Sequence, residues 1–308
     1  MIGTHEFVED ERNQDVLIYV NGELFPRHEA KVSVFDSAFL VGDGFWESFR
    51  LHNGKLAFIK EHLARLQANA KALDYDLGVT PEALIDEVYK TVQANNMTTN
   101  DVHIRLMITR GTKRSPSQDP RTTISGPTIV IIAEYKAPAR QGDAGLQLFT
   151  VHVRRGRPDV QDPKLHPHSK LNCVISCIQA TKAGADEALM LDPQGFVSTC
   201  NSTNFFIVRD NEVWTSTGQY CLNGITRGNI IKLCKRNDIK IFEKDFSLFD
   251  VYSADEAFTT GTFGGANYIS EVDGRVIGDG QMGPKTSRLK ALYAELLDED
   301  CPPEQADA

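Results

Sequence analysis

Two Asn-Gly dipeptides, Asn21-Gly22 and Asn53-Gly54, each separate a pair of apolar runs of strand length, and they constrain the fold more than any other feature. Asn-Gly suits a two-residue turn whose central residues both need positive φ, so each pair reads as an antiparallel hairpin. The first joins Leu17–Val20 to 23–25, and the second joins 45–51 to 56–58. The spacing of Leu63, Leu66, Ala70 and Leu73 then predicts an amphipathic helix over 60–73. Thr80-Pro81 reads as an N-cap and first-turn proline opening a helix through about Val92. Strand-like runs at Val102–Thr109 and Thr128–Tyr135 complete an N-terminal α/β domain, residues 1–137.

Residues 138–144, with Pro138, Gly142 and two alanines, have linker composition. A C-terminal domain, 145–308, follows. It shows strand patterns at 146–154, Glu187–Leu191, 204–208, 213–215, 239–242 and 256–259, and helical patterns at 172–183, Ile225–Arg236 and 284–297. The acidic tail from Asp298, with Pro302-Pro303, is expected to fray.

Charge narrows the possible partners. A formal net charge of −9 opposes docking on nucleic acid or an anionic membrane, because Coulomb repulsion works against it. The first twelve residues carry Glu6, Glu9, Asp10 and Glu11 and no apolar stretch, unlike a signal peptide. The purest apolar run, 129–133, is far too short to span a bilayer. Six cysteines without C-x-x-C spacing read as reduced thiols of a cytoplasmic protein, not as a disulfide framework or zinc site.

Four segments could carry chemistry. In Leu222-Asn223-Gly224-Ile225-Thr226-Arg227 a glycine turn feeds a helix whose first amides are open to an anion, or the stretch is simply a capped helix. Thr259-Thr260-Gly261-Thr262-Phe263-Gly264-Gly265 offers hydroxyls and unblocked amides to a phosphate, or is a surface loop. Pro167-His168-Ser169-Lys170 sets a lysine at a helix start, where the positive helix end disfavours its charge. Such a lysine can form a Schiff base, or sit solvated at the surface. His166 and His168 form an H-x-H pair without evident acidic partners, so positioning or exposure fits better than a metal. The stretch 195–206 crowds hydroxyls and amides around Thr199 between two strands, to line a site or to satisfy turn groups.

In this order the segments, with Gly42-Asp43-Gly44-Phe45-Trp46-Glu47, Glu61-His62-Leu63-Ala64-Arg65-Leu66 and Ala183-Gly184-Ala185-Asp186-Glu187-Ala188, resemble the class IV aminotransferases over about 18–297. The resemblance implies a fold type IV pyridoxal-phosphate enzyme of α/β (α+β) class, with a small N-terminal domain and a larger C-terminal pseudo-barrel. It implies that Lys170 holds pyridoxal 5'-phosphate as a Schiff base and moves the proton. Arg65, Gly224, Ile225, Thr226, Gly261 and Thr262 would then form the phosphate cup. The partners implied are a small amino donor, a 2-oxo acid and a second copy of the chain.

Two departures stand out. Thr199 occupies the place of the family's usual glutamate, so the cofactor ring would be a weaker electron sink. A gap-free alignment of the helix before Glu187 sets the lysine about one turn late, so either a turn is deleted after Lys170 or Lys164 is the Schiff-base residue. Leu171-Asn172 matches the family and favours Lys170. For substrate, Trp46, Arg50, Arg105 and Arg114 are the candidates, with mixed L-branched-chain and D-amino-acid markers. A lyase on the same scaffold, or a catalytically idle cofactor-binding protein, are the alternatives.

Overall fold

The computed structural model describes residues 9–136 and 144–303, which fall into two compact units. The N-terminal unit also takes in 166–169 and 298–303; the C-terminal unit runs over 144–165 and Lys170–Leu297. Most of the expected linker, 138–143, lies outside the described residues.

In the N-terminal unit, β1 (Leu17–Val20) and β2 (Glu23–Pro26) form the first expected hairpin, with Asn21 at φ 50°. A short helix α1 (Ser37–Val41), capped by the Asp36 side chain, precedes β3 (Gly44–His52). The second hairpin closes at Asn53 (φ 49°) onto β4 (Lys55–Leu56), shorter than expected because Phe58 turns to φ 53° and launches α2 (Ile59–Ala72). Next come α3 (Pro81–Ala94), with Thr80 accepting from the Ala83 amide, then β5 (Val102–Thr109) and β6 (Thr128–Tyr135). The strands form one antiparallel sheet in the order β2-β1-β6-β5-β3-β4.

Alternation decides the two faces of that sheet. Phe45, Phe49, Leu51, Ile104, Leu106, Ile108 and Ile131 point into one core with Leu66, Leu84 and Val88 of the helices. The opposite face carries Trp46, Ser48 and Arg50 of β3 beside Met107, Arg105 and His103 of β5.

The C-terminal unit contains β7 (Leu146–Thr150), α4 (Pro158–Gln161), α5 (Leu171–Lys182), β8 (Glu187–Leu191), β9 (Val197–Cys200), β10 (Asn204–Arg209), β11 (Glu212–Thr215) and α6 (Ile225–Arg236). It continues with β12 (Ile241–Glu243), α7 (Leu248–Tyr252), β13 (Glu256–Gly261), β14 (Gly265–Val272), β15 (Arg275–Val276) and α8 (Pro284–Asp300). Its nine-stranded mixed sheet runs β12-β11-β10-β13-β14-β7-β8-β9, with β15 on β14, and curls so that β9 ends beside β10. The parallel joins are β11–β12, β14–β7 and β7–β8. Among the described residues no helix is long and apolar enough to cross a membrane.

Several expectations are corrected. The strand expected over 146–154 stops at Thr150, where the chain leaves the ladder and meets β8 again through Val151 and Arg155 amides. The strand expected at 239–242 begins at Ile241, because Asp238 (φ 54°) and Ile239 still turn off the end of α6. The stretch after Gly261 is the turn of a hairpin between β13 and β14, not an open loop.

The tail through Pro303 is docked, not frayed. Asp298 bonds His52 and Asn53, Asp300 accepts the Phe58 amide at 2.6 Å, and Asn53 donates to the Cys301 carbonyl at 2.9 Å. Asp300 therefore serves as the cap that α2 lacks locally, since Phe58 offers no side-chain oxygen. Replacing Asp300 with Ala should lower stability by about 1–2 kcal/mol in urea titrations, the cost of an orphaned amide. An unchanged midpoint would mean that this carboxylate does not cap the helix.

Candidate functional site

Glu47 lies on the core face of β3, where a carboxylate is cut off from water and must find charged partners. The Arg65 guanidinium meets it bidentately, Nε to Oε1 and Nη2 to Oε2, each at 2.7 Å. His62 Nδ1 lies 2.8 Å from Oε2, and His166 Nδ1 lies 3.8 Å from Oε1. Burial alone would raise the Glu47 pKa. Hydrogen bonds from Arg65 and His62, the nearby His166 ring and the Arg65 charge outweigh burial and hold it well below its ordinary 4.5.

The H-x-H segment runs antiparallel to β3. His166 O accepts the Trp46 amide at 3.1 Å, and the His168 amide donates to Gly44 O at 2.8 Å. This approach demands glycine at 44, since a Cβ there would sit 2.5 Å from His168 Cδ2. The His166 ring lies on Trp46 with centroids 3.7 Å apart, and its amide donates to Asn69 Oδ1. Two residues past His168 comes Lys170, half-buried at the N-cap position of α5. Lys164 is exposed.

The substrate candidates divide. Arg105 is stacked 3.9 Å over the Trp46 ring, its pKa pressed down by burial and partly restored by Glu134. Arg50 shares that sheet face. Arg114 is exposed beyond β5, and its neighbour Arg110 is bound instead to Asp43 and to the Leu73 and Asp74 carbonyls.

In the C-terminal unit Asn204 is the hub. Its Nδ2 donates to Leu222 O at 2.9 Å and Thr199 Oγ1 at 3.3 Å, while a Cβ on Gly224 would lie 2.3 Å from its Oδ1. Thr199 donates its proton to Thr203 O at 2.7 Å. Gly224 caps α6 without any side-chain bond, so the Ile225 and Thr226 amides lack intrahelical partners. Thr260 stands opposite Asn204 on β13, and its hydroxyl is buried without a partner. Gly261 ends β13 and Thr262 begins the following turn. An uncapped helix start beside an unsatisfied hydroxyl fits a phosphate well.

Residues 44–272 match the model of the amino-transferase class IV family. The chain belongs to that family. This class IV chain is 41% identical to a putative branched-chain-amino-acid aminotransferase of Methanocaldococcus jannaschii, over 91% of its own length and 96% of the relative. It is 40% identical to branched-chain-amino-acid aminotransferase-like protein 2 of Arabidopsis thaliana, over 93% of its length but 51% of that protein, so it spans about half of that relative. Its fold is that of fold type IV enzymes. The branched-chain aminotransferase of the thermophilic archaeon Thermoproteus uzoniensis, solved with norvaline, superposes with a TM-score of 0.82 at 29% identity, covering 92% of this chain and 96% of the other.

Glu47, His62 and Asn69 were not candidates from sequence. The available signal was the strand alternation itself, which sets a carboxylate at 47 among Phe45, Phe49 and Leu51. Replacing Glu47 with Gln should cost roughly 3–5 kcal/mol near neutral pH, because it takes away the carboxylate that pairs with Arg65. A depressed carboxyl pKa stabilises the fold above the unfolded value, and that contribution is lost as pH falls through the folded one. The wild-type advantage should therefore shrink below about pH 4.5 in denaturation curves, as the unfolded carboxyl takes up a proton. An advantage that grows with acidity would contradict this picture.

Proposed function

We propose that this chain is a pyridoxal-phosphate-dependent aminotransferase that moves an amino group between a small amino acid or amine and a 2-oxo acid. The observation that carries this reading is the uncapped start of α6, packed against Asn204, with the unpartnered Thr260 hydroxyl opposite Asn204 in the sheet. The solved relative is a branched-chain aminotransferase, and the sequence relatives are a putative aminotransferase and an aminotransferase-like protein, which favours this reading over the lyase alternative.

Arg65, the Ile225 and Thr226 amides, the Thr226 hydroxyl and Thr262 would hold the phosphate, and Lys170 would hold the aldehyde carbon. Bound pyridoxal phosphate supplies a ring that accepts electron density from the substrate carbon. The Lys170 ε-amino group would take the proton from the substrate carbon and pass it to the cofactor carbon it had held, so that the amino group stays with the cofactor when the 2-oxo acid leaves. Trp46, Arg50 and Arg105 would orient the substrate carboxylate, with Arg105 supplying a desolvated cation. Arg114 is the weakest of these candidates because it is exposed.

A second copy of the chain is the proposed partner. Leu171, Val174, Ile175 and Ile178 form an exposed apolar stripe on α5, at the i, i+3, i+4, i+7 spacing of a covered helix face. Six free cysteines suit a reducing compartment such as the cytoplasm.

With cofactor loaded, an amino donor should release one equivalent of its 2-oxo acid per site, and Lys170→Ala should slow this by about 10²–10⁴-fold. Borohydride reduction and peptide mapping should find the cofactor on Lys170. Label on Lys164, or on neither lysine, would sink the assignment. Ile178→Asp should convert a dimer to monomer in light scattering, and an unchanged mass would exclude α5 from the interface.

A further inference from the structure

Arg65 and Lys170 have parts in the proposed chemistry, whereas Glu47 and the H-x-H segment have none so far. We propose that Glu47 is a positioning residue that sets the aim of the Arg65 guanidinium and, through His166, holds the segment that leads into Lys170. This rests on the reading that Arg65 grips the cofactor phosphate and Lys170 its aldehyde carbon.

A bidentate pair fixes both the plane and the roll of a guanidinium, which one-point contact does not. Glu47 makes that pair with Nε and Nη2 of Arg65, at 1% exposure, where competing water is excluded. His62 occupies the second lone pair of Oε2, so the carboxylate cannot swing without losing two donors. On the other oxygen, His166 approaches to 3.8 Å while its ring is clamped on Trp46. The His166 main chain is bound on both sides, by the Trp46 amide and by Asn69 Oδ1, and Asn69 Nδ2 returns to the Arg65 carbonyl. Arg65, Asn69, His166 and Glu47 therefore close a ring of contacts. Lys170 follows this segment in the chain, so whatever fixes 166–169 fixes the backbone from which the lysine side chain departs.

Glutamine in place of Glu47 keeps the shape but turns an amide nitrogen toward one of the donors, so it cannot hold Arg65 at two points. The test uses the full-length apoprotein and two cofactors, pyridoxal phosphate and pyridoxal, which differ only in the phosphate. Dissociation constants for both are measured, with the rate at which borohydride-trappable cofactor accumulates on Lys170. Glu47→Gln should lower the preference for pyridoxal phosphate over pyridoxal by about tenfold or more, the scale at which losing an outer-shell partner weakens a ligand site. It should slow attachment to Lys170 as well. His166→Asn should slow attachment while sparing the preference, and Arg65→Lys should reduce the preference while sparing attachment.

A merely structural Glu47 would scale both cofactors equally. If folded Glu47→Gln keeps the wild-type preference and attachment rate while Arg65→Lys loses the preference, the inference is overturned. If Arg65→Lys keeps the preference, the phosphate reading itself has failed and the inference falls with it. Should Glu47→Gln not fold, His166→Asn decides, and a wild-type attachment rate there would overturn the link to Lys170.

Discussion

A carboxylate on an apolar strand face is tolerated only when it is paired, and the partners of Glu47 come from two places in the chain. Arg65 and His62 reach it from α2, and His166 from the segment before Lys170. The desolvation cost of such a group offsets much of its Coulomb gain, so its net contribution to stability is modest. What it enforces is geometry. A hydrophobic residue at 47 could fill the same space, yet it would deprive Arg65 of its two-point acceptor and take from the 166–169 segment its approach to a buried carboxylate.

The C-terminal unit solves a similar problem with neutral groups. Asn204 uses one amide to hold Leu222 and Thr199, and its oxygen sits where a side chain at 224 would have to go. No side-chain acceptor caps α6, so the partial positive charge of its first turn stays available. A carboxylate at position 204 could not donate to the Leu222 carbonyl, and its charge would cancel the field that an anion needs. The amide organises the loop without consuming the attraction.

Legibility from sequence followed the range of the forces involved. The hairpins at Asn21 and Asn53 and the helices α2 and α3 were plain, since turn φ, caps and apolar spacing are local. The hairpin after Gly261 was hidden because Gly265 looks like a loop residue until Gly261 of β13 supplies its pairing partner. The docked tail was hidden too, since Asp298 and Asp300 look solvated until β3 and α2 present His52 and the Phe58 amide. For the proposed site, the ordered motifs pointed to Arg65, Lys170 and the Gly224–Thr226 turn, but not to Glu47. Its identity as a hub depends on His62, Arg65 and His166 meeting from distant parts of the chain.

Thr199 bears on the demand placed on Lys170. On the proposed assignment the threonine faces the pyridine nitrogen, where the resemblance to the family implies a glutamate. Its one proton goes to Thr203 O at 2.7 Å, and Asn204 donates to its oxygen. A hydroxyl so engaged offers a lone pair at most, and no full negative charge to stabilise a protonated ring. Redirecting the proton to an unprotonated nitrogen would break a buried hydrogen bond, at a cost of about 1 kcal/mol. Either way the ring draws electrons less strongly than it would beside a glutamate. A larger share of the barrier then falls on the base that removes the substrate proton. Its efficiency depends on holding one amine within hydrogen-bond reach of one carbon. A chain that gives up charge at 199 has more to gain from a backbone fixed on β3 immediately before its lysine.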